Sequence, residues 1–283
     1  MTKFLLAEMT WPEVRDAVVA GRVLMQPVAA IEQHGPHLPV DADNRIVTSI
    51  LEEVGRRSPE EFVIAPCIPY GFNDHNMEFP GTVSIRPATF LEYCYDAGHS
   101  FATMGFRRIL WLNGHGSNRP LVEIAVRRIT TDTPAYAALA DNIWAKVDQT
   151  LRLRTSPLGG IAHACEQETS FYLHLRPDLV REDLIADELP NGLPEHVVHD
   201  PAALNTLTFM SWYSQRTKSG VDGAPSHASR DKGRAWFEGA VGLVTEIARS
   251  FRTMDLPARH DERPGQPWSP GLRSVPVSER ETS

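Results

Sequence analysis

Cysteine is scarce in this chain: Cys67, Cys94 and Cys165 are the only three, far apart and without a Cys-x-x-Cys pair. Neither a disulfide framework nor a thiolate zinc site can be built from them, so they read as small core residues. Cys165 stands apart only because it lies between His163 and Glu166. No segment is rich in Lys or Arg, and the 283 residues carry a formal charge of −8. A nucleic-acid surface needs clustered cations to displace counterions, so no nucleic-acid partner is expected. No apolar stretch approaches the roughly 20 residues needed to cross a bilayer. The opening Met1 to Glu8 is interrupted too soon for a signal peptide, so no membrane is expected and the cytoplasm is the default. No internal repeat is evident either.

What remains is an ordinary apolar content in a length that can bury a sizeable core. Thr10-Trp11-Pro12-Glu13 carries an N-cap, a first-turn Pro and a Glu three residues after the cap, which predicts a helix to about Ala20. Strand-like runs follow at Val23 to Ile31, Phe62 to Ile68, Arg108 to Leu112 and Ala135 to Ala140. Helical periodicity lies between and after them, from Asn44 to Arg57, Pro87 to Met104 and Asn118 to Thr131, with a last amphipathic helix from Lys232 to Phe251. Alternating strands and helices imply an α/β fold with a mostly parallel sheet covered on both faces. Residues 141–161 and 181–223 are more polar and less periodic, and read as excursions that wall a site. Residues 1–254 are expected to form one catalytic domain, and the Pro-, Arg- and Ser-rich stretch 255–283 a poorly ordered tail.

Five side chains have the composition of a metal site: Glu32 and His34 in Ile31-Glu32-Gln33-His34-Gly35-Pro36-His37, Asp43, His115 in Asn113-Gly114-His115-Gly116-Ser117-Asn118, and Glu168. Imidazole nitrogen with carboxylate oxygen suits Zn²⁺, Mn²⁺ or Fe²⁺, and a carboxylate such as Asp43 can bridge two ions. Glu32 and His34 leave the end of one buried strand where Gly35-Pro36 turns the chain, and His115 leaves another at a glycine turn. Open α/β sheets place their sites at such carboxyl ends. Any one His or Glu beside a turn is usually a surface or capping residue, but the set together favours the metal reading. His37 and Asp41 are either partners that orient a ligand or merely solvated.

In Ala162-His163-Ala164-Cys165-Glu166-Gln167-Glu168, His163, Glu166 and Gln167 fall at helical spacing and invite an acid/base assignment for His163 and Glu166. The bland alternative is a charged helix start. The polar loop Gly71 to Thr82 lines a substrate pocket, with Asn73 or His75 bonding the ligand, or is simply a long turn. Ser117 and Asp222, the latter in a second loop from Ser219 to Pro225, complete the expected substrate contacts; no Gly-Lys-Ser/Thr follows that loop to make it a phosphate cradle.

These segments together resemble the creatininase family, with its Glu-Gln-His-Gly-Pro-His-Leu-Pro-like run, an Asp shortly after, an Asn-Gly-His-Gly-like turn and a His-Ala-Gly-Glu-x-Glu-Thr-Ser-like helix start. Phe79-Pro80-Gly81-Thr82 is a further match, and the likeness spans about Leu24 to Ser250. Cys165 replaces the usual Gly. The resemblance implies a three-layer α/β/α sandwich, often assembled as a homo-hexamer, with two divalent metal ions (Zn, Mn or Fe) for hydrolysing a small-molecule amide, cyclic or linear. It implies Glu32, His34, Asp43 and His115 as ligands, Asp43 as the bridge and His163 as a catalytic histidine. In creatininase itself the residue two after the turn histidine is a metal-binding Glu, whereas here it is Ser117. A carboxylate of the later helix is expected to substitute, Glu168 first and Glu166 as the alternative. Ring opening of a cyclic polyol ketone of the inosose type, and a metal-containing binding protein without turnover, are the rival readings.

Overall fold

Four apolar runs pair as strands: β1 (Val23–Val28), β2 (Phe62–Ile64), β3 (Arg108–Asn113) and β4 (Tyr136–Asp141). The computed structural model describes residues 2–141, 152–194, 196–203, 207 and 209–255. The sheet is wholly parallel in the order β2-β1-β3-β4, with Val28 beside Asn113 where β1 and β3 end together. Every residue of β1 is buried, as a strand covered on both faces must be.

Side chains alternate between two cores. Leu24, Val28, Ile109 and Trp111 pack under α3 (Pro87–Met104), α4 (Arg119–Asp132) and the first helix α1 (Trp11–Val19). Val23, Met25, Leu110 and Leu112 face α2 (Ala42–Arg57), α5 (Glu166–Leu175) and α7 (Arg230–Thr253). The result is the expected three-layer α/β/α sandwich. A four-residue helix, α6 (Tyr213–Arg216), belongs to the second polar excursion. The capping of α1 follows its sequence, since Glu13 Oε2 accepts from the backbone N and the Oγ1 of Thr10 at 2.6 and 2.8 Å.

Two strands are shorter than their apolar runs. β1 ends at Val28 instead of Ile31, and β2 ends at Ile64 instead of Ile68. Pro66 has no N–H for the ladder. Pairing resumes beyond it, where Ile68 N donates to Pro27 O and Ala29 N to Ile68 O, both at 3.0 Å. Gln26, buried in the sheet, closes the gap by donating Nε2 to Pro66 O at 2.8 Å. His163 is not helical as its spacing suggested: it pairs with Asp222 across an isolated two-residue bridge, and α5 begins only at Glu166. Residues 142–151 of the first excursion and 256–283 of the expected tail lie outside the described residues. Among the described residues, no helix is long and apolar enough to cross a membrane.

The chain leaves β1 to form β2 on one side and returns to form β3 on the other. Strand order therefore reverses between β1 and β3, and a crevice opens at their carboxyl ends.

Candidate metal centre

Glu32 and His34 lie just past β1, and His115 two residues past β3, so both sides of the crevice contribute. Asp43 enters from the first turn of α2, and Glu168 from the first turn of α5. All five converge. His34 Nε2 lies 3.4 Å from Asp43 Oδ1 and 3.9 Å from Glu168 Oε2. His115 Nδ1 lies 3.1 Å from both Glu32 Oε1 and Asp43 Oδ2. Two donor groups result, Glu32/Asp43/His115 and His34/Asp43/Glu168, with Asp43 common to both. A third group, Glu32/His34/His163, shares residues with them.

Each imidazole is held from behind. His34 Nδ1 faces its own turn through Glu32 O at 3.2 Å, and His115 Nε2 donates to Phe72 O at 3.1 Å. A proton on those nitrogens leaves His34 Nε2 and His115 Nδ1, the atoms that face the acids, as the positions that would coordinate a cation in place of their second proton. The turn after β3 is fixed by Asn113, whose Nδ2 reaches His115 O at 2.6 Å and Asp141 Oδ1 at 2.8 Å. Asn118 ties the next loop down by donating to Ala29 O and accepting from Phe72 N, both at 2.9 Å. Gly71 is required there because a Cβ would fall 2.3 Å from Asn118 Oδ1 and 2.7 Å from Ala29 O.

Several acids packed together need positive charge. Burial opposes a charge on His34, yet Asp43, Glu168 and Glu32 push it up to about 10. His115 is likewise raised against burial by Glu32 and Asp43. Burial would lift Glu32, but His115 and His163 hold it well below the usual carboxylate range. Burial pushes Glu168 up to about 7, with His34 opposing and Asp43 and Glu32 adding. His34 Nε2 and Asp43 Oδ2 are buried and make no hydrogen bond of normal geometry. Three carboxylates, two imidazoles and these orphaned atoms fit divalent cations of the Zn²⁺, Mn²⁺ or Fe²⁺ kind.

His163 lies beside this group, with Nδ1 3.5 Å from Glu32 Oε1 and Nε2 2.7 Å from Gln33 O. Burial and the neighbouring His34 push it down to about 3. Glu166, expected as a catalytic group or alternative ligand, is not brought in. Residues two apart on a helix point about 200° apart. Glu166 therefore faces the other way, accepting from Thr155 N at 3.0 Å, Ser156 N at 3.1 Å and the Lys232 ammonium.

Asn73, expected to contact substrate, donates Nδ2 to Glu32 Oε2 at 2.6 Å and so orients that carboxylate. His75 and Ser117 do line the cavity, 3.3 Å apart through Nε2 and Oγ. Asp222 is fully buried behind the wall, its carboxylate against Arg216 and His199. His37 Nε2 meets Thr169 Oγ1 at 2.8 Å, and Tyr172 donates to Asp41, so both tie the ligand turn to α5.

Other contributors were not singled out by the sequence. Asn76 Nδ2 also reaches Glu32 Oε2 at 2.6 Å, and Gln33 Nε2 reaches Asn76 Oδ1 at 2.9 Å. Asn76 sits one turn of a short helix beyond Asn73, a repeat that could have marked it. Tyr213, Arg216, His199, Phe209 and Met210 close a cavity of about 580 Å³ over the acids. They come from the weakly periodic second excursion, where nothing local singles them out.

The creatininase family, described as creatinine amidohydrolase, matches residues 7–248. Creatinine amidohydrolase from Pseudomonas putida is 31% identical over 271 residues, covering 87% of this chain and 96% of that protein. A 3-dehydro-scyllo-inosose hydrolase from Thermotoga maritima is 28% identical over 260 residues, covering 86% and 82%. A mycofactocin precursor peptide peptidase from Mycobacterium tuberculosis is 32% identical over 232 residues, covering 79% and 83%. Among solved structures, one named Creatininase Mn matches with a TM-score of 0.76 at 27% identity, over 89% of this chain and 100% of its own. A creatininase variant described as Zn-Zn type gives 0.75 at 27% identity, over 89% and 100%. With the matched residues running from the first helix to the last and taking in every residue of the candidate centre, this chain belongs to the creatininase family of hydrolases.

Proposed function

We propose that this chain is a two-metal amidohydrolase acting on a small, uncharged amide, cyclic in preference. One observation carries the reading: the two oxygens of Asp43 address two different histidines, Oδ1 toward His34 and Oδ2 toward His115. A carboxylate placed between two imidazole lone pairs is the arrangement of a bridging ligand. Glu32, Asp43 and His115 would hold one ion, and His34, Asp43 and Glu168 the other. Ions in such a donor set supply Lewis-acid polarisation of a carbonyl and acidification of water.

The remaining work falls to side chains. His163 donates Nε2–H to Gln33 O, so its Nδ1 is the free base. That nitrogen, 3.5 Å from Glu32 Oε1, would relay a proton from the attacking water to the departing nitrogen, with the Glu32 carboxylate opposing the lowering that burial and His34 impose. His75 and Ser117 offer polar contacts to the substrate, while Phe209, Met210 and Tyr213 exclude water from it. Among the described residues, the wall cations Arg119 and Arg216 each face an acid, Asp141 at 3.7 Å and Asp222 at 3.3 Å. A wall so balanced suits a neutral ring better than a peptide carboxylate.

A second reading, opening of an inosose-type cyclic ketone, is favoured by the polar His75–Ser117 pair and by the Thermotoga maritima relative named for that activity. A panel of lactams, hydantoins, formamides and inososes, offered with Zn²⁺, Mn²⁺ and Fe²⁺, separates the two. Released amine or ammonia supports the amidohydrolase, and a ring-opened sugar acid supports the ketone hydrolase. Silence from a fully metal-loaded sample would overturn both and leave a binding protein. The same reading includes assembly as a homo-oligomer, a hexamer on the family's pattern, which sedimentation velocity checks.

A further inference from the structure

Asp222 touches His163 with its main chain and the cavity wall with its side chain. His163 N donates to Asp222 O at 2.8 Å, and Asp222 N to His163 O at 3.0 Å. Behind that bridge the Asp222 carboxylate, with no solvent exposure, lies 3.3 Å from Arg216 Nη1 and 3.1 Å from His199 Nδ1. Arg216 is buried as well, and its guanidinium lies 4.2 Å from the centre of the Tyr213 ring. The Tyr213 ring in turn lies 4.7 Å from the His163 ring. Arg216 thus reaches His163 by two routes, through the Asp222 backbone and through the Tyr213 face.

The other flank of His163 is strained. Ala164 has φ +52°, the one non-glycine residue with positive φ among the described residues, and its side chain is wholly buried. An L-residue has only a small well in that region, and such a conformation persists where the surroundings over-determine it. Here they do so from both sides: the His163–Asp222 bridge precedes Ala164, and α5, which carries Glu168, begins two residues after it.

We infer that Asp222 is a positioning residue: paired with Arg216, it fixes the backbone of His163 so that the imidazole Nδ1 is held 3.5 Å from Glu32 Oε1. The inference rests on the reading of His163 as the proton carrier, and it reassigns Asp222 from substrate contact to control of that carrier. The plain alternative is a buried ion pair that serves only the fold.

The two differ under paired replacement. Asp222→Asn alone strands a cation in the interior, whereas Asp222→Asn with Arg216→Met removes both charges and is expected to recover stability. Zinc content, urea midpoint, kcat, KM and a crystal structure are measured for the double variant. The expected result is full zinc content, a midpoint near the parent's, a His163 imidazole displaced from Glu32, and kcat lower by roughly 10–100-fold with a smaller change in KM. An imidazole in its original place, or a kcat that returns together with stability, would overturn the inference. His163→Ala tests the underlying reading separately: unimpaired turnover there refutes the proton carrier, while the imidazole position in the double variant still decides what Asp222 does.

Discussion

The Lys232 ammonium rests against the Glu166 carboxylate on the side of α5 turned away from Glu168. Two acids two residues apart thus have separate duties, one anchoring the first excursion and the last helix, the other facing the acids of the cavity. Glu166→Gln should lower the unfolding free energy by roughly 1–3 kcal/mol, the worth of hydrogen bonds to a charged group. Metal content should not change. Urea unfolding and metal analysis check this, and metal loss at unchanged stability would make Glu166 a ligand after all.

Asp43 is common to both donor groups, so Asp43→Ala should empty both together instead of halving the metal content. Elemental analysis of the purified variant reads this directly, and full activity in it would sink the two-metal proposal. Chelation of the parent protein should lower its unfolding midpoint, because ions that bind only the folded state stabilise it by about 4 kcal/mol at a thousandfold excess over Kd.

Asp200 supplies a prediction in pH. Burial would raise its carboxyl, but the Arg154 guanidinium and the amides of Ala202 and Gly159 hold it below the ordinary value of 3.8. The pair is bidentate, with both N···O distances 2.8 Å. A folded-state value below the unfolded one stabilises above the unfolded pKa and is lost as pH falls through the folded pKa. Asp200→Asn should therefore be less stable than the parent at neutral pH, and the gap should close below about pH 3.8. Urea midpoints from pH 7 to pH 2.5 test it; a gap that is constant across the series contradicts it.

Gly233 lets α7 pack directly against the backbone of α5. A Cβ there would lie 1.8 Å from Ser170 O, a backbone atom that cannot swing aside. Gly233→Ala should cost roughly 1–3 kcal/mol from overpacking. Metal affinity should fall with it, since Glu168 rides on the displaced helix. Equilibrium unfolding and metal titration measure both, and an unchanged pair of values would show that the helices slide freely.

The fold was legible where sequence periodicity decides burial. Val23 to Ile31 and Arg108 to Leu112 read as strands because, Gln26 and the leading Arg108 apart, they are unbroken apolar runs, as strands covered by two cores must be. The ends of β1 and β2 were not legible, because they depend on how Pro66 and the Gln26 side chain share one gap in the ladder. Glu32, His34, Asp43 and His115 stood out because each follows a strand or opens a helix. The choice between Glu166 and Glu168 depends on which face of α5 is covered by a lysine 66 residues farther on, which no local spacing reports. Asp222 looked like a substrate contact because its glycine-rich loop resembles an exposed turn; the bridge to His163 that buries it is long-range.

The dependence of α5 on α7 has a consequence for the order of assembly. By residue 168 the chain has already presented every candidate ligand, yet Lys232, which holds Glu166, and Gly233, which admits the Ser170 backbone, belong to the last helix. On a ribosome Glu32, His34, Asp43 and His115 emerge early, while α5, which carries Glu168, gains its packing against α7 only after residues near 230 have been made. A nascent chain would thus hold the residues of one donor group before the support of the other is in place, and α7 would be the part that seats Glu168 beside His34 and Asp43.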